Sequence, residues 1–137
     1  MVSAVFTAVY VDDLKQSRAF YSELFNLVPV FDSDWIVQLA SPTNESVTIT
    51  LQPRNHDLVP ATYKDKPAGV SVAFVVEDCD ALYRQAQVMG LTILQPPKNE
   101  IYGQRRFLTL DPDGLLIDVS SPCEPSDEFR ARYMEET

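Results

Sequence analysis

The feature that most constrains the fold is an internal repeat of a strand followed by a helix. AVYVDDL, which begins at Ala8, is matched by AFVVEDC, which begins at Ala73. Each copy joins a strand-like run to an acidic residue that can cap a helix. The helices are predicted to end at Asn26 and Gly90, residue types that favour a left-handed C-terminal position. A later strand, ITLQP, is matched by IDVSSP, so two tandem βαβββ modules are the economical interpretation.

The boundaries of this pattern predict a single domain, 1–137, with about eight strands and with helices near 13–25 and 78–89. Its expected parts are module 1 (about 4–52), a linker (53–68), module 2 (about 69–122) and a C-terminal helix (about 126–136). The linker holds three prolines and the sole histidine, His56, which is expected to be a solvated loop residue. Ser126 is predicted to cap the C-terminal helix.

A β-hairpin is predicted near the C-terminus, with a tight turn at Asp111-Pro112-Asp113-Gly114. Proline presets φ, aspartate hydrogen-bonds to its own backbone, and glycine accepts a positive φ. The flanking runs, Arg105–Leu110 and Leu115–Ser120, are both extended in character.

Composition excludes some classes of partner. The net charge of −9 argues against nucleic acid, because phosphate binding needs a basic surface. The same charge suits a cationic ligand, although a role in solubility explains it equally well. No apolar run is long enough to span a membrane and no leader pattern is visible, so no membrane partner and a cytoplasmic location are predicted. Cys79 and Cys123 are expected to be reduced, and neither has metal-ligand spacing around it.

Three segments resemble the vicinal oxygen chelate superfamily, which includes glyoxalase I, the bleomycin resistance proteins and the extradiol dioxygenases. They are YVDDLKQSRAFYSELFNL, VAFVVEDCDALYRQAQVMGL and GQRRFLTLDPDGLLIDVSSP, and the resemblance covers roughly residues 4–122. It implies an α+β fold of two tandem βαβββ modules whose curved mixed sheets enclose a cavity. It also implies that the protein is a homodimer, since members are commonly dimers.

Metal-dependent members of that superfamily bind a divalent ion through one residue of the first strand and one of the last strand of each module. The matching positions in this chain are Phe6, Thr50, Ser71 and Asp118. Only Asp118 is a good hard ligand, because phenylalanine has no donor atom and neutral hydroxyls bind weakly alone. The resemblance therefore points to the metal-free branch, with no metal and no other cofactor.

Because strand residues alternate between faces, the neighbours of these positions extend a predicted ligand-binding face. The residues assigned to it are Phe6, Tyr10, Trp35, Thr48, Thr50, Ser71, Tyr102 and Asp118, and no catalytic residue is assigned. An aromatic concavity with few polar groups is typical of a small-molecule site. A filled core is the alternative, although buried hydroxyls and a carboxylate would then need partners.

Asp118 is the most informative single residue of this set. A buried carboxylate should be paired, hydrogen-bonded or neutralised. One interpretation pairs it internally with Arg105 or Arg106 on the neighbouring strand. The other places a cationic ligand between Asp118 and aromatic side chains, and both stay open at this point.

Three functions compete on this reasoning. The favoured one is a metal-free small-molecule binding protein, resembling the bleomycin-resistance branch, that sequesters an amphipathic organic cation or drug and so confers antibiotic resistance. The second is a metal-independent enzyme of lyase or isomerase type that uses Asp118 as acid or base. The third is a dimeric interaction module whose pocket has closed.

Overall fold

Two four-stranded mixed sheets organise the chain, and each has one long helix. The structure is a computed structural model that describes residues 1–134. The chain divides into two compact units. The first contains Met1–Ala68 and Asp111–Gly114, and the second contains Gly69–Leu110 and the described chain from Leu115 onward.

The first unit is a βαβββ module. The main elements are β1 (Thr7–Val11), α1 (Leu14–Phe25), β2 (Val28–Asp32), β3 (Val37–Ser41) and β4 (Asn44–Pro53). The sheet has the order β1-β4-β3-β2, with β1 parallel to β4 and the other pairs antiparallel. A short 3₁₀ turn at Ala61–Tyr63 follows the last strand.

The ends of α1 are set by local side-chain chemistry. Asp13 is the N-cap, and its carboxylate accepts a hydrogen bond of 3.1 Å from the backbone N–H of Gln16. Asn26 ends the helix in the left-handed region at φ 56°, and its N–H donates to the carbonyl of Ser22. The predicted helix of module 1 is therefore confirmed.

The core of the first unit lies between α1 and one face of its sheet. Helix residues at 3.6-residue spacing and alternate strand residues are buried together, as a half-buried sheet requires. The buried set is Val9, Val11, Ser17, Phe20, Tyr21, Leu24, Val37, Leu39, Ile49 and Leu51. The opposite face of the sheet turns away from α1.

The second unit repeats the module. Its elements are β5 (Ser71–Val75), α2 (Cys79–Val88), β6 (Ile93–Asn99), β7 (Gln104–Leu110) and β8 (Leu116–Pro122). The sheet has the order β5-β8-β7-β6, and β5 is parallel to β8. Asp78 caps α2 by accepting from the N–H of Ala81 at 3.1 Å. The prediction of an α+β fold with two βαβββ modules is confirmed.

The core of the second unit forms where α2 packs on its sheet. The ring of Phe107 is fully buried and lies 5.4 Å from that of Tyr83, centroid to centroid. Ile117 and Val119 are fully buried beside it. Burial of a side chain as large as Phe107 stabilises the fold by about 1.5–3 kcal/mol.

The predicted turn between β7 and β8 is confirmed, and its two aspartates also accept hydrogen bonds from side chains of the first unit. Gly114 has φ 85°, and the carboxylate of Asp111 accepts from the N–H of Asp113 at 2.9 Å. Both aspartates are buried within the first unit. There Asp113 accepts from Arg54 at 2.5 Å, and Asp111 accepts from the hydroxyl of Tyr21 at 2.7 Å.

The segment expected to be a linker and the C-terminal helix differ in detail from the prediction. The segment expected to be a linker contains the buried side chains of Arg54 and Val59. The C-terminal helix begins after Ser126, which accepts from the N–H of Phe129 at 3.0 Å, and continues as a π-helical turn, Arg130–Met134. Its predicted residues 135 and 136 lie outside the described residues.

Cys79 and Cys123 are both free thiols. No helix within residues 1–134 is long and apolar enough to cross a membrane.

Candidate functional site

A row of side chains crosses the sheet of the first unit on the face that turns away from α1. Thr50 of β4 is paired with Ala8 on one side and with Gln38 on the other. Gln38 is paired in turn with Phe31 of β2. Directly opposed residues share a face of a sheet, so these four side chains lie in line.

A cavity of about 310 Å³ opens over this row. Its wall is mainly apolar and aromatic, and the side chains of Gln38 and Thr50 supply its polar groups. The lining residues are Phe6, Phe31, Trp35, Ile36, Gln38 and Thr50. Thr50 is only 5% exposed at the base, whereas the three aromatic residues remain between 38% and 61% exposed.

The turn that carries Trp35 is fixed by hydrogen bonds. The hydroxyl of Ser33 donates to the carbonyl of Ile36 at 2.8 Å and accepts from the N–H of Ile36 at 3.1 Å. The N–H of Ser33 also donates to that carbonyl at 3.0 Å. The indole of Trp35 is stacked on the imidazole of His56, with the ring centroids 5.2 Å apart and the planes 24° from parallel.

His56 corrects one expectation from the sequence. It is half-buried rather than a solvated loop residue, because its ring lies against Trp35. Its Nδ1 accepts a hydrogen bond of 3.1 Å from the N–H of Leu58. No sequence pattern predicts this contact, since His56 is outside the repeat.

The corresponding face of the second unit is charged. Asp118 of β8 is paired with Ala73 and with Leu108, and its Oδ2 accepts from Nη1 of Arg106 at 3.0 Å. Nε of Arg106 also donates to Glu100 at 2.6 Å. Of the two internal partners proposed for Asp118, the structure therefore selects Arg106.

These ion pairs shift the pKa values of Arg106 and Glu100. The hydrogen bond to Glu100, followed by the one to Asp118, raises the pKa of Arg106 although burial opposes the rise. The hydrogen bond from Arg106 lowers the pKa of Glu100, again against the effect of burial. Within residues 1–134, Oδ1 of Asp118 is buried and has no hydrogen-bond partner.

Three of the eight predicted ligand-binding residues, Phe6, Trp35 and Thr50, line the same cavity. Thr48 lies two residues from Thr50 and Tyr10 is paired with Gln52, so both lie on the face of that cavity without lining it. The other three belong to the second unit: Ser71 is exposed on β5, Tyr102 is exposed in the turn before β7, and Asp118 is held by Arg106.

Sequence reasoning missed Phe31, Ile36 and Gln38. Gln38 could have been predicted from the sequence, because alternation along β3 from its buried neighbours places it on this face. Phe31 could not have been predicted in this way, because the register of β2 shifts between Pro29 and Phe31. Strict alternation from Val28 would have placed Val30 opposite Gln38 instead.

The residues at the superfamily's metal positions do not fit a divalent ion. Phe6 has no donor atom, and the hydroxyls of Thr50 and Ser71 are neutral. Asp118 already accepts a hydrogen bond from a guanidinium. Within the described chain, no three His, Cys, Asp or Glu residues are grouped so that they could hold a metal ion.

Comparison with known proteins identifies the class. The model of the Glyoxalase/Bleomycin resistance protein/Dioxygenase superfamily matches residues 4–119, and the chain belongs to this superfamily. The resemblance seen in the sequence is thereby confirmed. No curated protein matches the chain.

Solved structures show the same fold. A superfamily member from Sphaerobacter thermophilus is 21% identical with a TM-score of 0.72, covering 88% of this chain and 98% of its own. A glyoxalase-related enzyme from Fulvimarina pelagi is 23% identical with a TM-score of 0.71, covering 88% of each chain. Lactoylglutathione lyase from Agrobacterium tumefaciens is 18% identical with a TM-score of 0.64, covering 88% of this chain and 94% of its own. At these identities the likeness concerns the fold alone.

Proposed function

We propose that the protein is a metal-free small-molecule binding protein that takes up a flat, amphipathic molecule in the cavity of the first unit. The observation that carries this proposal is the aromatic wall formed by Phe6, Phe31 and Trp35 over two polar groups. Small-molecule sites combine such apolar walls with a few polar groups that orient the ligand. The hydroxyl of Thr50 and the amide of Gln38 would serve that purpose.

An organic cation is the proposed charge class. The residues that line the cavity carry no formal charge, so selectivity would come from the aromatic faces and from the net charge of −9. Aromatic faces attract cations, by about 0.5–2 kcal/mol for each contact. Sequestration of a drug of this kind, and hence antibiotic resistance, is the corresponding biological role, and a cytoplasmic location belongs to the same proposal.

The test uses three flat molecules of similar shape: proflavine as the cation, acridine in its neutral form and anthracene-9-carboxylate as the anion. Trp35 is the only tryptophan of the chain and lines the cavity, so its emission reports occupancy. We expect proflavine to bind most tightly and the anion least tightly. Binding of none of the three, or preference for the anion, would contradict the proposal.

Matched variants locate the binding. Phe6→Ala and Phe31→Ala each remove one ring and should weaken proflavine binding roughly 2- to 10-fold. Tyr63→Ala removes an aromatic ring of the same unit that is 67% exposed and does not line the cavity, so it should leave the affinity unchanged. Equal losses in all three variants would place the ligand elsewhere.

The absence of a metal requirement is tested separately. Nickel, zinc or manganese should not raise the melting temperature, because an ion that binds only the folded state must stabilise it. A rise that Asp118→Ala abolishes would overturn the metal-free assignment.

A metal-independent enzyme is the second candidate, and one observation favours it. Oδ1 of Asp118 is buried without a hydrogen-bond partner in the described chain, so this carboxylate has an unused acceptor that would serve an acid–base step. If it acts in this way, ligands found in the screen should be converted to new products, visible by chromatography, and Asp118→Asn should abolish the conversion. Conversion that survives Asp118→Asn would exclude this role.

A homodimer completes the proposal. Apolar side chains such as Val5, Val70 and Val75 are more than 60% exposed, and a partner subunit would cover such surface. Sedimentation at tens of micromolar should show a dimer, and a monomer would contradict it. A dimer that binds none of the probe molecules would favour an interaction module instead.

A further inference from the structure

We infer that His56 is a positioning residue of the cavity, which holds the indole of Trp35 in the orientation that receives a ligand. The inference rests on the proposed function and adds a residue from a loop outside the repeat. It is carried by the parallel stack of the two rings, at 5.2 Å and 24°.

The imidazole is itself held in place. Its Nδ1 accepts from the N–H of Leu58, so the ring plane is fixed relative to the loop. The N–H of His56 donates to the carbonyl of Pro53 at 3.1 Å, and its carbonyl accepts from the N–H of Val59 at 3.0 Å. The side chain of Val59 is buried, which anchors the far side of this turn.

Arg54 anchors the near side of the loop. Its N–H donates to the carbonyl of Val11 at 2.9 Å, which continues the pairing of β4 with β1. Its guanidinium forms ion pairs with Asp12 and Asp113 and donates to the carbonyl of Asp65 at 2.7 Å. His56 therefore projects from a loop that Arg54 ties to β1 on one side and that the buried side chain of Val59 anchors on the other.

Trp35 needs such support because it lies at the rim. It is 38% exposed and is located in the turn between β2 and β3. An unsupported side chain at that place loses rotamer freedom when a ligand binds, which lowers affinity. A stacked partner orders the indole in advance, so loss of the stack should weaken binding roughly 2- to 10-fold.

Two substitutions separate the ring from the hydrogen bond. His56→Phe keeps a planar ring for the stack and loses the acceptor for Leu58. His56→Asn loses the ring but keeps an acceptor, because asparagine commonly accepts from the N–H two residues on. Asp57→Ala, a change at the exposed neighbouring position, is the control.

The readouts are the quenching of Trp35 emission by acrylamide and the dissociation constant of proflavine, with thermal unfolding to confirm that each variant is folded. In His56→Asn we expect easier quenching and roughly 2- to 10-fold weaker binding. His56→Phe and Asp57→Ala should resemble the wild type in both measurements. A merely structural role would change the melting temperature without changing the quenching.

The outcomes are distinguishable from failure of the proposed function. If proflavine fails to bind the wild type while His56→Asn still exposes Trp35 to acrylamide, the positioning role stands and the proposed function fails. If proflavine binds all variants equally, the proposed function stands and the inference is overturned. A defect in His56→Phe with none in His56→Asn would overturn it as well, since the hydrogen bond to Leu58 rather than the ring would then be the cause.

Discussion

The two sheets have the same strand order and a different chemistry on the face that turns away from the helix. In the first unit the central row contains Thr50, Gln38 and Phe31, and the cavity above it is neutral and aromatic. In the second unit the position that matches Thr50 in the repeat is Asp118, and Arg106 ties it to Glu100.

The difference shows which parts of the repeat are physically constrained. The caps Asp13 and Asp78 occupy matching places, because each helix needs an acceptor for its first N–H groups. The helix-facing strand residues are apolar in both copies, as with Val9 and Phe74. The other face does not pack against the helix, so its residue types can differ between the copies: Tyr10 in one copy matches Val75 in the other. Function can diverge on that face without loss of the fold.

The largest effect on stability is expected when Thr50 is replaced by aspartate, the residue type at the matching position 118. Thr50→Asp places a carboxylate at a site that is 5% exposed and whose lining residues include no cation. An uncompensated buried charge should lower the free energy of unfolding by about 3 kcal/mol. Urea unfolding measures the change.

Thr50→Asn is the matched control, since it has the shape of the aspartate without its charge. It should cost clearly less than Thr50→Asp. Equal losses would mean that shape rather than charge distinguishes the two faces.

A smaller loss is expected when the charged face of the second unit is broken. Arg106→Met leaves Asp118 and Glu100 without their shared cation, and we expect a loss of about 1–3 kcal/mol in the free energy of unfolding. Arg105→Met is the control on the adjacent residue, whose ion pair with Asp80 is well exposed, so its loss should be smaller. If Arg105→Met proved the more damaging, the network around Arg106 would not be what stabilises this face.

The smallest expected effect is a change in acid sensitivity. Arg106 lowers the pKa of Glu100, so this carboxylate contributes stability above the pKa it has in the unfolded chain. That contribution is lost as the pH falls through the lowered folded-state pKa. Glu100→Gln should therefore reduce stability near neutral pH and flatten the acid side of the stability curve.

The measurement is the melting temperature of wild type and Glu100→Gln across the acid range. The two curves should converge as the pH falls. Curves that stay parallel throughout would show that Glu100 is not linked to folding through its charge.

The repeat, the helix caps, the eight strands and the turn at Asp111–Gly114 could all be predicted from the amino-acid sequence. These features depend on neighbouring residues: a cap accepts from an N–H three residues on, and a glycine accepts a positive φ wherever the turn occurs. Three residues of the cavity, Phe6, Trp35 and Thr50, were also predicted, because alternation and the superfamily resemblance point to the same face.

The rest of the site depends on contacts between residues that are distant in sequence. The register shift in β2 brings Phe31 rather than Val30 opposite Gln38, and a shift of this kind cannot be read from alternation. His56 stacks on Trp35 from a loop outside the repeat, and Arg54 in the same loop is paired with Asp12 and Asp113. These contacts join residues distant in sequence, and their energies depend on burial and on partners that a local pattern does not contain.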